Sequence, residues 1–270
     1  MPTRFPTGIN AGLKHNTPLH DILSTNADAG QWGLYYNDFT STAGFTALPL
    51  STGTCAISTF ANITDGSFGQ LNCLTAATGN DLQVAYLSSF VANTPALPFY
   101  YSNGASVNNT AEWVMSLRFR LSNAAAGFWA GLMNTADIYT AGAVDWSGDT
   151  ATTTPAAIYI HKAISTTTAY FDMVGTSAMV TQTAFNTAVG ITTIGFVAHM
   201  RNEVVRLYQS TQSASTAPVW TKVATLPVTG AISATTGAMG LVFGAKAETT
   251  TARTVSFDNF LWAHRSAIGR

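Results

Sequence analysis

The sequence is short of charge. Asp, Glu, Lys and Arg together make 9% of its 270 residues, where about 25% is usual in soluble proteins. Formal net charge is −1. This argues against nucleic-acid binding through a basic patch, because phosphate contacts need clustered Lys and Arg. It does not imply disorder, since 47% of residues are hydrophobic, enough to bury a core. Cysteine is scarce as well. Cys55 and Cys73 are too few for a disulfide framework, and two reduced thiols in strands are expected. Residues 173–200 contain no Asp, Glu, Lys or Arg, but Thr176, Ser177, Thr181, Gln182, Thr183, Asn186 and Thr187 interrupt them. A membrane-spanning helix needs about 20 predominantly apolar residues, and this stretch is not one. The opening MPTRFPTGIN has no apolar core of an export signal. The expectation is a soluble chain with no membrane segment. Helical periodicity is missing too: no dozen-residue segment shows it.

Thr fills the place of the missing charge, at about 15% of the chain, with Ala, Ser, Asn and Gly beside it. Thr is β-branched and favours strands, while Ser, Asn and Gly favour turns. The composition therefore reads as all-β. It also implies a surface of small neutral polar groups, which costs less to desolvate than one of ion pairs. Such a surface suits contact with other protein.

Residues 1–31 differ from the rest. Pro2, Pro6 and Pro18 punctuate them, apolar residues are sparse, and neither period persists. An extended N-terminal arm is expected there, followed by a β-sandwich over 32–270. The first strand is the aromatic run Gly33-Leu34-Tyr35-Tyr36-Asn37-Asp38-Phe39. Between 40 and 110, short strands alternate with turn signals such as Asp65-Gly66 and Asn103-Gly104. The clearest strand is 113–121. Trp113, Met115, Leu117, Phe119 and Leu121 alternate with Ser116, Arg118 and Arg120, which predicts a half-buried strand with one wet face. Further strands are expected at 127–133, 157–162, 169–174, 194–200, 205–208, 219–224, 239–243 and 254–262. Arg201-Asn202-Glu203 reads as a tight turn. Many short strands at this spacing predict a sandwich or barrel.

The strand Glu112-Trp113-Val114-Met115-Ser116-Leu117-Arg118-Phe119-Arg120-Leu121 leads into Phe128-Trp129-Ala130-Gly131-Leu132-Met133. This pair resembles the central strands of concanavalin A-like (laminin-G-like) jelly rolls. The closing Val255-Ser256-Phe257-Asp258-Asn259-Phe260 is similar to their last strand, which pairs with an early one, here that of Tyr36 and Phe39. The resemblance spans about residues 33–265. In addition, Arg4-Phe5-Pro6-Thr7-Gly8-Ile9 resembles the RFPNG openings of a group of tailed-bacteriophage virion proteins, with Thr7 in place of Asn. Those arms precede a first strand like Tyr35-Tyr36-Asn37-Asp38-Phe39. What the resemblance implies is a capsid decoration or cement subunit.

Enzymes also use this fold, so catalytic patterns matter. Retaining glycosidases need two carboxyl groups about 5–5.5 Å apart, supplied in this fold by acids at alternate strand positions. That pattern is absent, and Glu112, Glu203 and Glu248 are the only glutamates. Asp145 and Asp149 flank Trp146 in one loop, which reads as an exposed turn more readily than as a sugar platform or Ca²⁺ loop. Asn134 and Asp137 could add oxygens, but no metal-loop spacing is present. His15 and His20 lie in the arm, and His161, His199 and His264 stand singly, without zinc spacing. No nucleophile elbow or phosphate loop appears. No catalytic residue, metal or cofactor is expected.

The expectation is a non-enzymatic virion protein on the capsid exterior, made in the host cytoplasm. Its expected partners are the major capsid protein and copies of itself, as trimer or dimer, with neither nucleic acid nor membrane. The alternative is a carbohydrate-binding, lectin-like module on a virion or cell surface. A glycoside hydrolase or lyase is the third reading. In the arm, Phe5, Ile9 and Leu13 are the expected apolar anchors and Arg4 a charged one. For Arg118 and Arg120 two readings stand: pairing with acids of a neighbouring subunit, or a solvated sheet face.

Overall fold

A computed structural model describes residues 32–37, 39, 45–49, 54–58, 69–75, 77, 82–87, 99–100, 112–134, 157–174, 179–186, 188–189, 191–201, 204–212, 219–228, 238–246 and 251–265. The expected arm, with Arg4, Phe5, Ile9 and Leu13, lies outside these residues, as do Asp145, Trp146 and Asp149.

The described elements are all strands: β1 (Trp32–Asn37), β2 (Phe45–Pro49), β3 (Thr54–Ser58), β4 (Gln70–Leu74), β5 (Leu82–Leu87), β6 (Phe99–Tyr100), β7 (Glu112–Leu121), β8 (Gly127–Asn134), β9 (Ala157–Lys162), β10 (Ala169–Val174), β11 (Met179–Asn186), β12 (Thr193–Arg201), β13 (Val204–Gln212), β14 (Val219–Pro227), β15 (Ala238–Lys246) and β16 (Thr254–Arg265). They form two eight-stranded sheets. One runs β14-β13-β12-β7-β16-β4-β3, with β1 also on β16. The other runs β11-β10-β9-β8-β15-β5-β2, with β6 also on β15. All pairings are antiparallel. The chain crosses between the sheets after β1, β2, β4, β6, β7, β11, β14 and β15, and β15 and β16 lie near the middle of their sheets. No helix among the described residues is long and apolar enough to cross a membrane.

The alternation expected on β7 holds on its inner face. Trp113, Met115, Leu117, Phe119 and Leu121 are all buried in one core that joins both sheets. From the facing sheet come Phe128, Ala130, Leu132, Ile158, Ile160, Phe171, Leu241 and Phe243. The rings of Phe119 and Phe128 are 4.5 Å apart across the sandwich. Each such buried side chain contributes roughly 1.5–3 kcal/mol.

The wet outer face expected for β7 needs correction. Glu112, Val114 and Ser116 on that face are buried, while Arg118 and Arg120 are half-buried. Neighbouring outward side chains cover it. Val114, Val197 and Ala263 form a second apolar cluster, packed against Tyr208, Trp220 and Leu261.

The expected pairing of first and last strands is present, with Tyr36 opposite Leu261 and Asn37 opposite Phe260. Asn37 then accepts a hydrogen bond from the Phe39 backbone N–H at 2.7 Å. This local turn holds Phe39 at φ 54°, an unfavourable value for a bulky residue. Burial of its ring against Phe243, 5.4 Å away, offsets the strain. Between β7 and β8 the Asn123 side chain accepts from the Ala125 N–H at 2.8 Å, the local bond that makes Asn a turn former. The two-residue link from Arg201 to Val204 closes a hairpin in which these residues are paired. β11 was not expected from the sequence, because Thr and Gln interrupt its apolar pattern. It pairs along β10.

Candidate functional site

The outer face of the sheet containing β7 is a broad surface built by the described residues. Register lines up its side chains in rows. One row runs Tyr36, Leu261, Ser116, Val197, Tyr208 and Lys222 across six strands, about 24 Å at normal strand spacing. The next row runs Asn259, Arg118, Gly195, Ser210 and Trp220. Tyr36 is 55% exposed, and Trp220 is half-buried. Trp220 reaches across β13 because small residues leave room. A Cβ on Gly195 would stand 2.8 Å from its indole ring and 2.6 Å from Ser210 Oγ.

Several charged groups on this face have partners within the chain. β16 carries a bulge between Phe257 and Asn259. The extra residue, Asp258, lets Phe257 and Phe260 both face inward and turns its own carboxylate outward. Arg118 Nη1 meets Asp258 Oδ2 at 2.8 Å. Arg120 Nε donates to the Ile191 carbonyl at 3.0 Å. Arg118 therefore has an acid of its own subunit, and Arg120 a backbone partner.

At the far end of β7, His199 Nε2 lies 2.9 Å from Glu112 Oε1, and Arg201 Nε is 3.9 Å from the same oxygen. His199, which stands singly in the sequence, is held here as a buried structural residue. The partners lie far apart along the chain and meet through strand pairing. Burial lowers the pKa of His199; the Glu112 hydrogen bond and charge oppose this, and Arg206 and Arg201 add to the lowering. Burial also lowers His264. The unfolded chain therefore takes up these protons at a higher pH than the folded one. Their contribution to stability is complete above about pH 6.5 and declines as pH falls below it. The thermal midpoint should drop between pH 7 and pH 5, and His199→Gln combined with His264→Gln should flatten that slope.

The outer face of the second sheet carries a different cluster. Trp129 and Tyr159 stack at 4.7 Å, and His161 and Tyr170 at 5.5 Å. His161 Nδ1 is 2.9 Å from Asp172 Oδ2, at ion-pair distance but without hydrogen-bond alignment. Burial pushes the Tyr159 phenol far up, and the Asp172 carboxylate adds to this. Trp129, Tyr159, His161 and Asp172 are all buried, so the cluster is closed to large ligands. Gly131, opposite Tyr159, leaves the space it needs. Among the described residues no group of three His, Cys, Asp or Glu side chains is placed to hold a metal.

The described carboxylates do not pair for glycoside hydrolysis. Glu112 and the Arg118 partner Asp258 are six residues apart along β7, about 20 Å. Asp172 belongs to the other sheet, about 10 Å away or more. Either hydrolytic mechanism needs carboxyl groups within about 9.5 Å on one cleft.

The architecture has known counterparts. No protein-family model matches this chain, and no curated protein matches it. Solved structures do. Lectin II from Ulex europaeus superposes with a TM-score of 0.57 at 11% identity, over 87% of this chain and 99% of the lectin. Peanut lectin gives 0.56 at 8% identity, over 88% and 100%. The CBM2 module of the evolved Dit of Lactobacillus casei BL23 phage J-1 gives 0.50 at 12% identity, over 88% and 99%. The chain has the concanavalin A-like jelly-roll fold of the legume lectins.

Proposed function

We propose that this protein is a non-enzymatic virion structural protein, a decoration or cement subunit that binds the outer surface of a phage capsid. The observation that carries the reading is the broad outer face of the β7 sheet. Its centre is apolar and neutral, and Glu112, Arg118, Arg120 and His199 on it have partners within the chain. A flat partner can dry this centre without stranding those four charges, while Lys222 on β14 is exposed at the edge of the face. The low overall charge, the phage-like opening at Arg4-Phe5-Pro6 and the likeness to a phage Dit module support the same reading. The partner is the major capsid protein, with copies of this chain beside it. A specific contact of roughly 1,200–2,000 Å² suffices, and repetition over a lattice adds avidity.

Mass spectrometry of purified particles should find the chain at a copy number set by capsid symmetry. Deleting residues 2–25, or replacing Tyr36 by Glu, should weaken capsid binding by roughly tenfold or more while the thermal midpoint stays put. Full-strength decoration by both variants would refute the assigned surface. Absence from the particle would refute the function.

A second reading is carbohydrate binding. It is favoured by the half-exposed Trp220, which lies in the same cross-strand row as Arg118, since an aromatic face with polar neighbours suits a sugar ring, and by the lectins among the structural neighbours. Binding to a glycan array that is lost in Trp220→Ala would establish it.

A further inference from the structure

We propose that Cys55 and Cys73 form an oxidisable pair whose disulfide staples the edge strand β3 to β4. The register sets Cys55 directly opposite Cys73. Opposite residues of an antiparallel pair share one face of the sheet, and Cys73 is buried on the core face.

The kind of pair is decided by hydrogen bonds on the other side of β4. Thr75 N donates to the Arg253 carbonyl at 2.9 Å, beside the register in which Val255 opposes Cys73. Backbone N–H and C=O groups along an antiparallel strand turn to alternate neighbours. Position 75 turns them toward β16, so position 73 does too. A second bond agrees: Ser122 N donates to the Thr254 carbonyl, so Thr254 faces β7 and Val255 faces β4. Toward β3, then, residues 55 and 73 are a non-hydrogen-bonded pair. That is the narrow kind, with Cα atoms about 4.5 Å apart, inside the 4.4–6.8 Å range of disulfides. A hydrogen-bonded pair one residue along would stand about 5.5 Å apart.

Access comes from the edge. Among the described residues β3 ends its sheet and pairs with β4, and an end strand opens more readily than the central ones. The oxidant is a small or enzyme-borne disulfide. One cysteine thiolate attacks it, forms a mixed disulfide and releases one thiol. The second thiolate attacks the protein sulfur of that intermediate and releases the other thiol. The two cysteines lose two electrons and two protons, and the oxidant gains them. Residues 56–72 become a closed loop, which restricts the unfolded chain.

The full-length protein is incubated natively with oxidised glutathione, and its mass and thermal midpoint are measured. The expected result is a monomer lighter by two hydrogen atoms, a protease fragment linking residues 55 and 73, and a midpoint raised by about 5 °C. Cys55→Ser should keep the reduced protein's midpoint and lose the mass change. Two thiols still titratable after denaturation, a persistent glutathione adduct, or a cross-linked dimer would each overturn the proposal.

Discussion

Phe119→Asp should yield no soluble folded protein, and Phe119→Ala should lower stability by about 3–5 kcal/mol. Phe119 is 1% exposed and stands between Ile194 and Phe257 in the sheet, with Phe128 facing it from the other. Alanine removes the ring and leaves a cavity where both sheets meet. Aspartate adds an unpaired buried charge, whose desolvation costs several kcal/mol more. Ordinary domains are stable by about 5–15 kcal/mol, so the charged variant should exceed what remains. Chemical denaturation of Phe119→Ala and the soluble fraction of Phe119→Asp are the measurements. A soluble, cooperatively unfolding Phe119→Asp would mean that the two sheets do not depend on this contact.

Gly131→Ala should be strongly destabilising although it lies outside the apolar core. Gly131 has φ 154°, and a Cβ there would stand 2.3 Å from the Ile158 carbonyl oxygen and 2.6 Å from Tyr159 Cα. These are backbone atoms of the neighbouring strand and cannot swing away. The β8–β9 ladder must part, and Tyr159 must leave its stack with Trp129. Strain and overpacking together predict a loss of about 3 kcal/mol or more. Gly195→Ala offers a contrast. The added methyl meets the end of the Trp220 side chain, which can move, so a smaller loss is expected together with altered Trp fluorescence. Equal losses at both positions would contradict this distinction.

Alternation along one strand is a local property, and it was legible in the sequence. The inward set on β7, the strands β9 and β10, and the closing strand all followed from side chains pointing alternately to two faces. The lack of alternating acids was legible for the same reason. Register was not legible, because it depends on which strands lie side by side. Glu112 meets His199 across 87 residues, and Arg253 meets Thr75 across 178. No local pattern announces such partners. The bulge at Asp258 changes which residues face inward along β16 and brings Arg118 its acid, where sequence reading left a neighbouring subunit as one candidate. The face expected to be wet is partly dry because Tyr208, Trp220 and Leu261, from three strands, pack on the cluster of Val114, Val197 and Ala263. Nothing in the sequence decides whether Cys55 and Cys73 meet. Pairing of β3 with β4 makes them neighbours. The sequence by itself determined where strands form and which side chains seek the core, through short-range sterics and hydrophobicity. The tertiary structure alone decided which polar groups meet, because long-range strand pairing brings them together.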